Sequence, residues 1–144
     1  MVFRTQCRVE FRDTDAAGIT HFSAFFPMME AAEHEMLRSL GISVMPRQGA
    51  HEMPESVTWP RVAASCQYKA AARFEDVLDI LISVRKLGNS SVTYQFRFER
   101  DGELIAEGEL TAVCCHLKRD HGDSGLQKTR IPAQVRASLE TLST

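Results

Sequence analysis

No apolar stretch of this sequence approaches the ~20 residues that a membrane-spanning helix needs. No C-x-x-C spacing joins its four cysteines, Cys7, Cys66, Cys114 and Cys115. They lie in strand-like apolar runs, so they are expected to be reduced core thiols of a cytoplasmic protein rather than a disulfide framework. Residues 1–9 are too polar for a secretory leader. Basic charge is not in excess either: 17 Lys and Arg face 19 Asp and Glu, for a net charge of −2. That excludes a strongly basic nucleic-acid binder. Neither a glycine-rich phosphate loop nor a serine nucleophile elbow is present. His51-Glu52 lacks a second His four positions after the first. Glu30 and His34 lack a matching second pair, and His116 and His121 are unsupported, so no metal site is expected. What is there is ordinary for a globular chain: 144 residues, 44% hydrophobic and 25% charged. A chain of this size buries about 68% of its unfolded surface, enough for one domain over 1–144 without staples.

Periodicity orders the chain. Residues 5–12 alternate as a strand, with Cys7, Val9 and Phe11 on one side and Arg8, Glu10 and Arg12 on the other. A turn follows over 13–18. Over 22–40 the spacing changes to three and four: Phe22, Phe25, Phe26, Met29, Met36, Leu37 and Leu40 form one stripe of a long helix. Ser23 suits its N-cap, Pro27 falls near the first turn, and Gly41 reads as its stop. Residues 43–58 carry Pro46, Gly49 and Pro54 and are expected to be a loop or broken helix. Period two then returns around Val62–Tyr68, Leu78–Val84, Val92–Phe98 and Leu104–Cys114, punctuated by Gly88-Asn89 and Asp101-Gly102. Pro132 opens a short amphipathic helix with Val135, Leu139 and Leu142. The expected class is α+β, with one long helix on a mainly antiparallel sheet of about five or six strands. Apolar residues on the other face, such as Leu81 and Val113, suggest cover by a second copy.

The densest polar feature is Asp13-Thr14-Asp15-Ala16-Ala17-Gly18-Ile19-Thr20-His21-Phe22-Ser23. It leaves a strand and enters a helix N-terminus, where free amides and the positive dipole end can polarise a carbonyl. A carboxylate in that turn can act as nucleophile or general base. The same residues also simply build turns, with Gly18 supplying a positive φ.

The run Val9-Glu10-Phe11-Arg12-Asp13-Thr14-Asp15-Ala16-Ala17-Gly18-Ile19 resembles the signature of the 4-hydroxybenzoyl-CoA thioesterase-like family, which has the hotdog fold. The likeness continues through Met29-Glu30-Ala31-Ala32 and Leu37-Arg38-Ser39-Leu40-Gly41. It resumes at Tyr68, Ala72, Asp76, Leu78 and Ile80, then over 91–115, and closes at Arg130-Ile131-Pro132. The resemblance implies an acyl-CoA thioesterase, with coenzyme A as part of the substrate and no separate cofactor. It implies Asp15 as the catalytic carboxylate, the backbone N–H of Phe22 as the group polarising the thioester carbonyl, and Gly18 as a point of close approach. It implies a homo-oligomer, dimer or tetramer, with coenzyme A at subunit interfaces. Many relatives carry His or Tyr at the position of Phe22, Asn-Tyr at Ala24-Phe25, and Pro at Ala71.

Other groups compete for these roles. Glu33 falls on the apolar stripe, where a buried carboxylate must be paired or shifted. Glu30 matches a supporting position in the resemblance, and both are alternative acids. His21, with Asp15 or Glu35, has spacings close to those of hotdog hydratases and dehydratases. A non-catalytic acyl-CoA-binding module is a further alternative. For the phosphates of coenzyme A the candidates are Lys86, Asn89 and Ser90 at one turn and Lys128 with Arg130 at another. Phe22, Phe25, Phe26, Met29 and Trp59 are candidates for an apolar acyl pocket, or for plain core.

Overall fold

The computed structural model describes residues 1–44, 57–117 and 125–143. Most of the expected 43–58 loop, together with His51 and His121, lies outside them. The elements in chain order are β1 (Phe3–Arg8), α1 (Phe25–Ser39), β2 (Val57–Thr58), β3 (Arg61–Tyr68), β4 (Val77–Leu87), β5 (Ser91–Arg100), β6 (Glu103–Val113), β7 (Cys115–Leu117), β8 (Leu126–Lys128) and α2 (Ala133–Glu140). The main sheet has five antiparallel strands in the order β1-β4-β5-β6-β3, and β2-β7-β8 form a second, three-stranded sheet. One long helix lies on the main sheet, which is the hotdog architecture expected from the resemblance.

The helix is shorter than its stripe. Residues Phe22–Ala24 form a 3-10 turn that leads into α1, and the cap is the His21 ring, which accepts from the Ser23 amide, not Ser23 itself. Pro27 is the third residue of α1, where its missing N–H would have had no intrahelical partner. At the far end Gly41 takes φ 76°, and the amides of Gly41 and Ile42 bond the carbonyls of Arg38 and Leu37, a Schellman stop. The buried face is Phe25, Met28, Met29, Ala32, Glu33, Met36 and Leu37. It packs on Leu78, Ile80, Ile82 and Val84 of β4 and Val92, Tyr94, Phe96 and Phe98 of β5.

The helix passes close over β6 at Gly108. A Cβ there would stand 2.3 Å from the Met29 sulfur and 3.2 Å from the Ser65 carbonyl. Met29 is itself buried, so it has little room to give. Gly108→Ala is expected to lower stability by about 1–3 kcal/mol through overpacking, seen as a lower urea midpoint with unchanged slope.

Several expectations change. The first strand ends at Arg8, not residue 12, because Glu10 and Asp13 form a reciprocal capping box on a 3-10 turn at Phe11–Asp13. Phe11 therefore leaves the core face and is 79% exposed. The four long strands after the helix do not all pair in chain order, as a simple antiparallel meander would: β4, β5 and β6 do, but β3 lies at the far edge beside β6, with β5 and β6 between it and β4. In β6 a register shift opposite Phe98/Glu99 turns Ile105 inward and leaves Leu104 only half-buried, so the period-two set slips by one. The outer face of the sheet is polar rather than apolar. It carries the pairs Gln6–Asp79, Arg85–Glu109, Arg97–Glu107 and Thr93–Thr111, with Leu81 and Val113 half-buried among them. It therefore lends no support to cover by a second copy. The Asp101-Gly102 hairpin forms as expected, with φ of 49° and 81° at its two central residues.

All four cysteines are free thiols, with Cys7 and Cys66 half-buried and both Cys114 and Cys115 buried. Burial first, then Asp13, pushes the Cys7 thiol up to about 11. The Cys7 thiol therefore stays protonated at neutral pH and is a poor nucleophile.

Candidate active site

The turn after β1 is built from its own backbone. The Asp15 amide donates to the Ile19 carbonyl at 2.9 Å, the Gly18 amide to the Asp15 carbonyl at 3.0 Å, and Gly18 takes φ 79°. The Ala17 amide donates to Asp15 Oδ1 at 2.9 Å. This Asx-type bond fixes the carboxylate plane and leaves Oδ2 with no bonded partner among the described residues. The turn rests on the segment after β3. Thr20 bonds the Ala72 carbonyl through both its amide (2.7 Å) and its hydroxyl (3.1 Å), and Ile19 bridges Arg73.

That supporting segment is itself held under strain. Glu75 takes φ 73°, a costly value for a residue with a Cβ. The Asp76 carboxylate accepts from the Arg73 amide at 2.8 Å and from Arg100 at 2.7 Å. The Arg73 amide first, then Arg100, holds the Asp76 carboxyl below its usual range. It stays ionised at neutral pH and keeps the platform under the Asp15 turn locked.

A concavity of about 460 Å³ opens over this turn, lined by Phe11, Thr14, Asp15, Ala16, Gly18 and Phe74. The rings of Phe11 and Phe74 meet edge to face, 6.1 Å between centroids. An apolar wall beside a carboxylate with one free oxygen suits an acyl group next to its reacting carbonyl. Neither phenylalanine was among the expected pocket residues. Phe11 was hidden by the strand pattern that continued through it, and Phe74 lies in a polar run with no periodicity. Of the expected pocket residues, Phe25, Met29 and Trp59 are buried in the core, and Phe26 is half-buried.

Phe22 does not line that concavity; its side chain is 64% exposed. Its backbone is nevertheless fixed on both sides. The His21 amide donates to the Asp13 carbonyl at 2.7 Å, and the His21 carbonyl accepts from Ala24 at 2.9 Å. A trans peptide points its N–H opposite to its C=O. Fixing the His21 carbonyl therefore fixes the direction of the Phe22 N–H, which carries no bond among the described residues.

The competing residues lie elsewhere. Glu33 is fully buried and bidentate to Arg61, at 2.9 and 2.5 Å. A register shift at the start of β3 turns Arg61 inward and leaves Val62 exposed. Glu30 is exposed, 3.6 Å from the same guanidinium. His21 Nδ1 accepts from the Ser23 amide and contacts the Ser23 hydroxyl at 2.7 Å, and its ring stacks on Phe22. Glu35 bonds Thr5 on the β1 side of α1. No His–carboxylate dyad forms among His21, Asp15 and Glu35.

At the other end of the sheet, a concavity of about 540 Å³ is lined by Leu87, Gly88, Asn89, Arg130, Ile131, Ala133 and Arg136. Arg130 donates to the Asn89 side chain at 3.0 Å, and Arg136 to the Gly88 carbonyl at 2.5 Å. This brings together Asn89 and Arg130, candidates from two separate turns, and adds Arg136 of α2, which the sequence did not single out. Lys86 and Lys128 are exposed outside this lining, and Ser90 is buried, its carbonyl bonded by Cys114. Among the described residues no cluster of His, Cys, Asp or Glu suits a metal, and no helix is long and apolar enough to cross a membrane.

A helix laid on an antiparallel sheet, with an acid-bearing turn at its N-terminus, defines a hotdog-fold protein. The chain belongs to the thioesterase-like superfamily, whose pattern it matches over residues 9–139. It is 34% identical over 108 residues to the 1,4-dihydroxy-2-naphthoyl-CoA hydrolase of a Synechococcus species, covering 73% of this chain and 71% of that protein. It is 29% identical over 114 residues to the acyl-CoA thioester hydrolase YbgC of Escherichia coli, covering 78% and 81%. The solved structure of BH1999 gentisyl-coenzyme A thioesterase superposes with a TM-score of 0.78 at 29% identity, covering 95% of this chain and 99% of that one.

Proposed function

We propose that this chain hydrolyses acyl-CoA thioesters to a carboxylic acid and free coenzyme A, with Asp15 as the reacting carboxylate. The observation that carries the reading is the Asp15 carboxylate itself, held at Oδ1, free at Oδ2, and facing an aromatic-walled concavity. Asp15 either accepts the proton of an attacking water or attacks the thioester carbonyl itself, forming a mixed anhydride that water then cleaves to release the acid and regenerate the carboxylate; both routes expel the coenzyme A thiolate. The Phe22 N–H stabilises the charge that develops on the carbonyl oxygen. The two relatives named for CoA-ester hydrolysis, and the gentisyl-CoA structure, support this class of substrate. Phe11 and Phe74 favour an aromatic acyl group, by offset and edge-to-face ring contact.

The protein acts as a homo-oligomer in this reading. β3 is an edge strand whose outer side has no partner among the described residues, and its Val62, Ala63, Ala64 and Ser65 are exposed. An uncharged edge of small residues is a ready template for pairing with a second copy. The site lies at the end of that edge, so a second copy would stand beside it. Arg130 and Arg136 are the best-placed groups for phosphates of coenzyme A. Replacing both with Ala is expected to raise KM for the CoA ester about tenfold or more while kcat changes little. An equal KM for the double variant would remove them from the binding site.

The test is thiol release from benzoyl, hydroxybenzoyl, dihydroxynaphthoyl, phenylacetyl and short to long aliphatic CoA esters. Turnover of the aromatic esters is the expected result. Tight binding of these esters with no thiol released from any of them would refute the hydrolase reading.

A further inference from the structure

Tyr68 ends β3, and its hydroxyl donates to the Phe22 carbonyl at 2.7 Å. Its ring packs on Phe25 with centroids 5.5 Å apart, and Phe25 packs on Phe98 of β5. The ring is therefore anchored to the core, while the hydroxyl reaches the first turn of the helix. The same peptide is held from its other side, because the Ser23 N–H donates to His21 Nδ1. The Phe22–Ser23 peptide thus has both its polar groups tied, while the Phe22 N–H one bond earlier is left free. Burial first, then the neighbouring Cys66, pushes the Tyr68 hydroxyl up, so it stays protonated and remains a donor throughout the neutral range.

A donor that stabilises a developing oxyanion works through preorganisation: it must already point at the oxygen when the charge appears. Short 3-10 turns are weakly held by their own bonds. Phe22 itself is exposed and has no side-chain packing to fix it beyond the His21 ring. The bond from the sheet edge adds a second tie, on the carbonyl side of Phe22, to the one that the Ala24 amide makes with the His21 carbonyl. We propose that Tyr68 is a positioning residue for the reaction: its hydroxyl clamps the Phe22 carbonyl and so holds the free Phe22 N–H in its catalytic direction. The inference rests on the hydrolase reading given above. It also ties the edge strand to the reaction, because Tyr68 follows the stretch of β3 offered for pairing with a second copy.

The test is Tyr68→Phe, which removes one oxygen and keeps the ring on Phe25. With the best CoA ester as substrate, kcat is expected to fall about tenfold, less than the ~10²–10³ of deleting an oxyanion donor outright. KM is expected to stay within about twofold, since the clamp acts on the transition state and not on ground-state binding. The melting temperature and the oligomeric state are expected to match the wild type. Amide hydrogen exchange at Ser23 should quicken, because the peptide it shares with the Phe22 carbonyl is then held only by the Ser23 N–H bond to His21. Unchanged kcat would overturn the proposal, as would unchanged Ser23 exchange. A loss of activity that tracks a lower melting temperature would overturn it too. Failure of the hydrolase reading looks different: the wild type itself would then bind the CoA esters and release no thiol from any of them.

Discussion

Asp15→Asn is expected to fold and bind CoA esters like the wild type and to hydrolyse them about a thousandfold more slowly. The change is nearly isosteric. Asn keeps a side-chain oxygen that can accept from the Ala17 amide, so the Asx-type bond at 2.9 Å survives, as do the backbone bonds to Ile19 and Gly18. What it loses is the basic and nucleophilic carboxylate of a residue that lines the concavity. An amide neither takes a proton from water at neutral pH nor attacks a thioester. The loss should therefore appear in kcat, with KM close to that of the wild type. Circular dichroism and the urea midpoint establish that the fold is intact. Thiol release from the preferred ester under saturating conditions gives the rate. A variant with more than a tenth of wild-type kcat would exclude Asp15 as the reacting carboxylate. Attention would then pass to Glu30, an exposed acid of α1 beside Arg61.

The fold was largely legible because its determinants are local. The switch from spacing three and four to spacing two separates α1 from β4, β5 and β6, and Gly41 and Asp101-Gly102 mark ends that depend only on nearby φ values. The errors fall where tertiary bonds override periodicity. Phe11 continues the alternation of β1, yet the Glu10–Asp13 capping box turns the chain before it. Ile105 sits on the wrong side of the period-two count because a bulge inserts one residue into β6. The placement of β3 at the far edge was not readable, since any two alternating strands pair equally well on paper. The candidate site divides in the same way. Asp15 and Gly18 were legible from turn chemistry and from resemblance. Phe74, Arg136 and Tyr68 come to their places through contacts between elements far apart in sequence, and no spacing rule marks such contacts.

Arg61→Met is expected to cost about 3–5 kcal/mol at neutral pH, the usual penalty of leaving one partner of a buried ion pair alone. Glu33 has no solvent-exposed surface, so its carboxylate cannot recover water when the guanidinium goes. Burial pushes the Glu33 carboxyl above its ordinary value, and the hydrogen bonds and charge of Arg61 pull it back. Without Arg61, burial and the negative charge of Glu30 are left, and both raise it further. A carboxyl raised in the folded state favours folding while it is protonated. Its contribution is fully present below the unfolded value of about 4.3 and is lost as pH rises through the raised folded value. The deficit of Arg61→Met should therefore be greatest at pH 8 and shrink toward pH 5. Urea midpoints at fixed protein concentration measure it. His34 Nε2 lies 3.6 Å from the same carboxylate, and burial lowers its own proton affinity, so it too changes charge on acidification. Glu33→Gln combined with Arg61→Met isolates Glu33: the pH slope attributed to it should vanish there. Glu33→Leu with Arg61→Met replaces both members by apolar groups and should recover most of the lost stability, because a buried ion pair is often no better than well-packed hydrocarbon. A single variant as stable as the wild type at pH 8 would show that Glu33 finds another partner in the folded chain. A double Leu/Met variant that folds but loses hydrolysis would assign this pair a part in the reaction that its burial does not suggest.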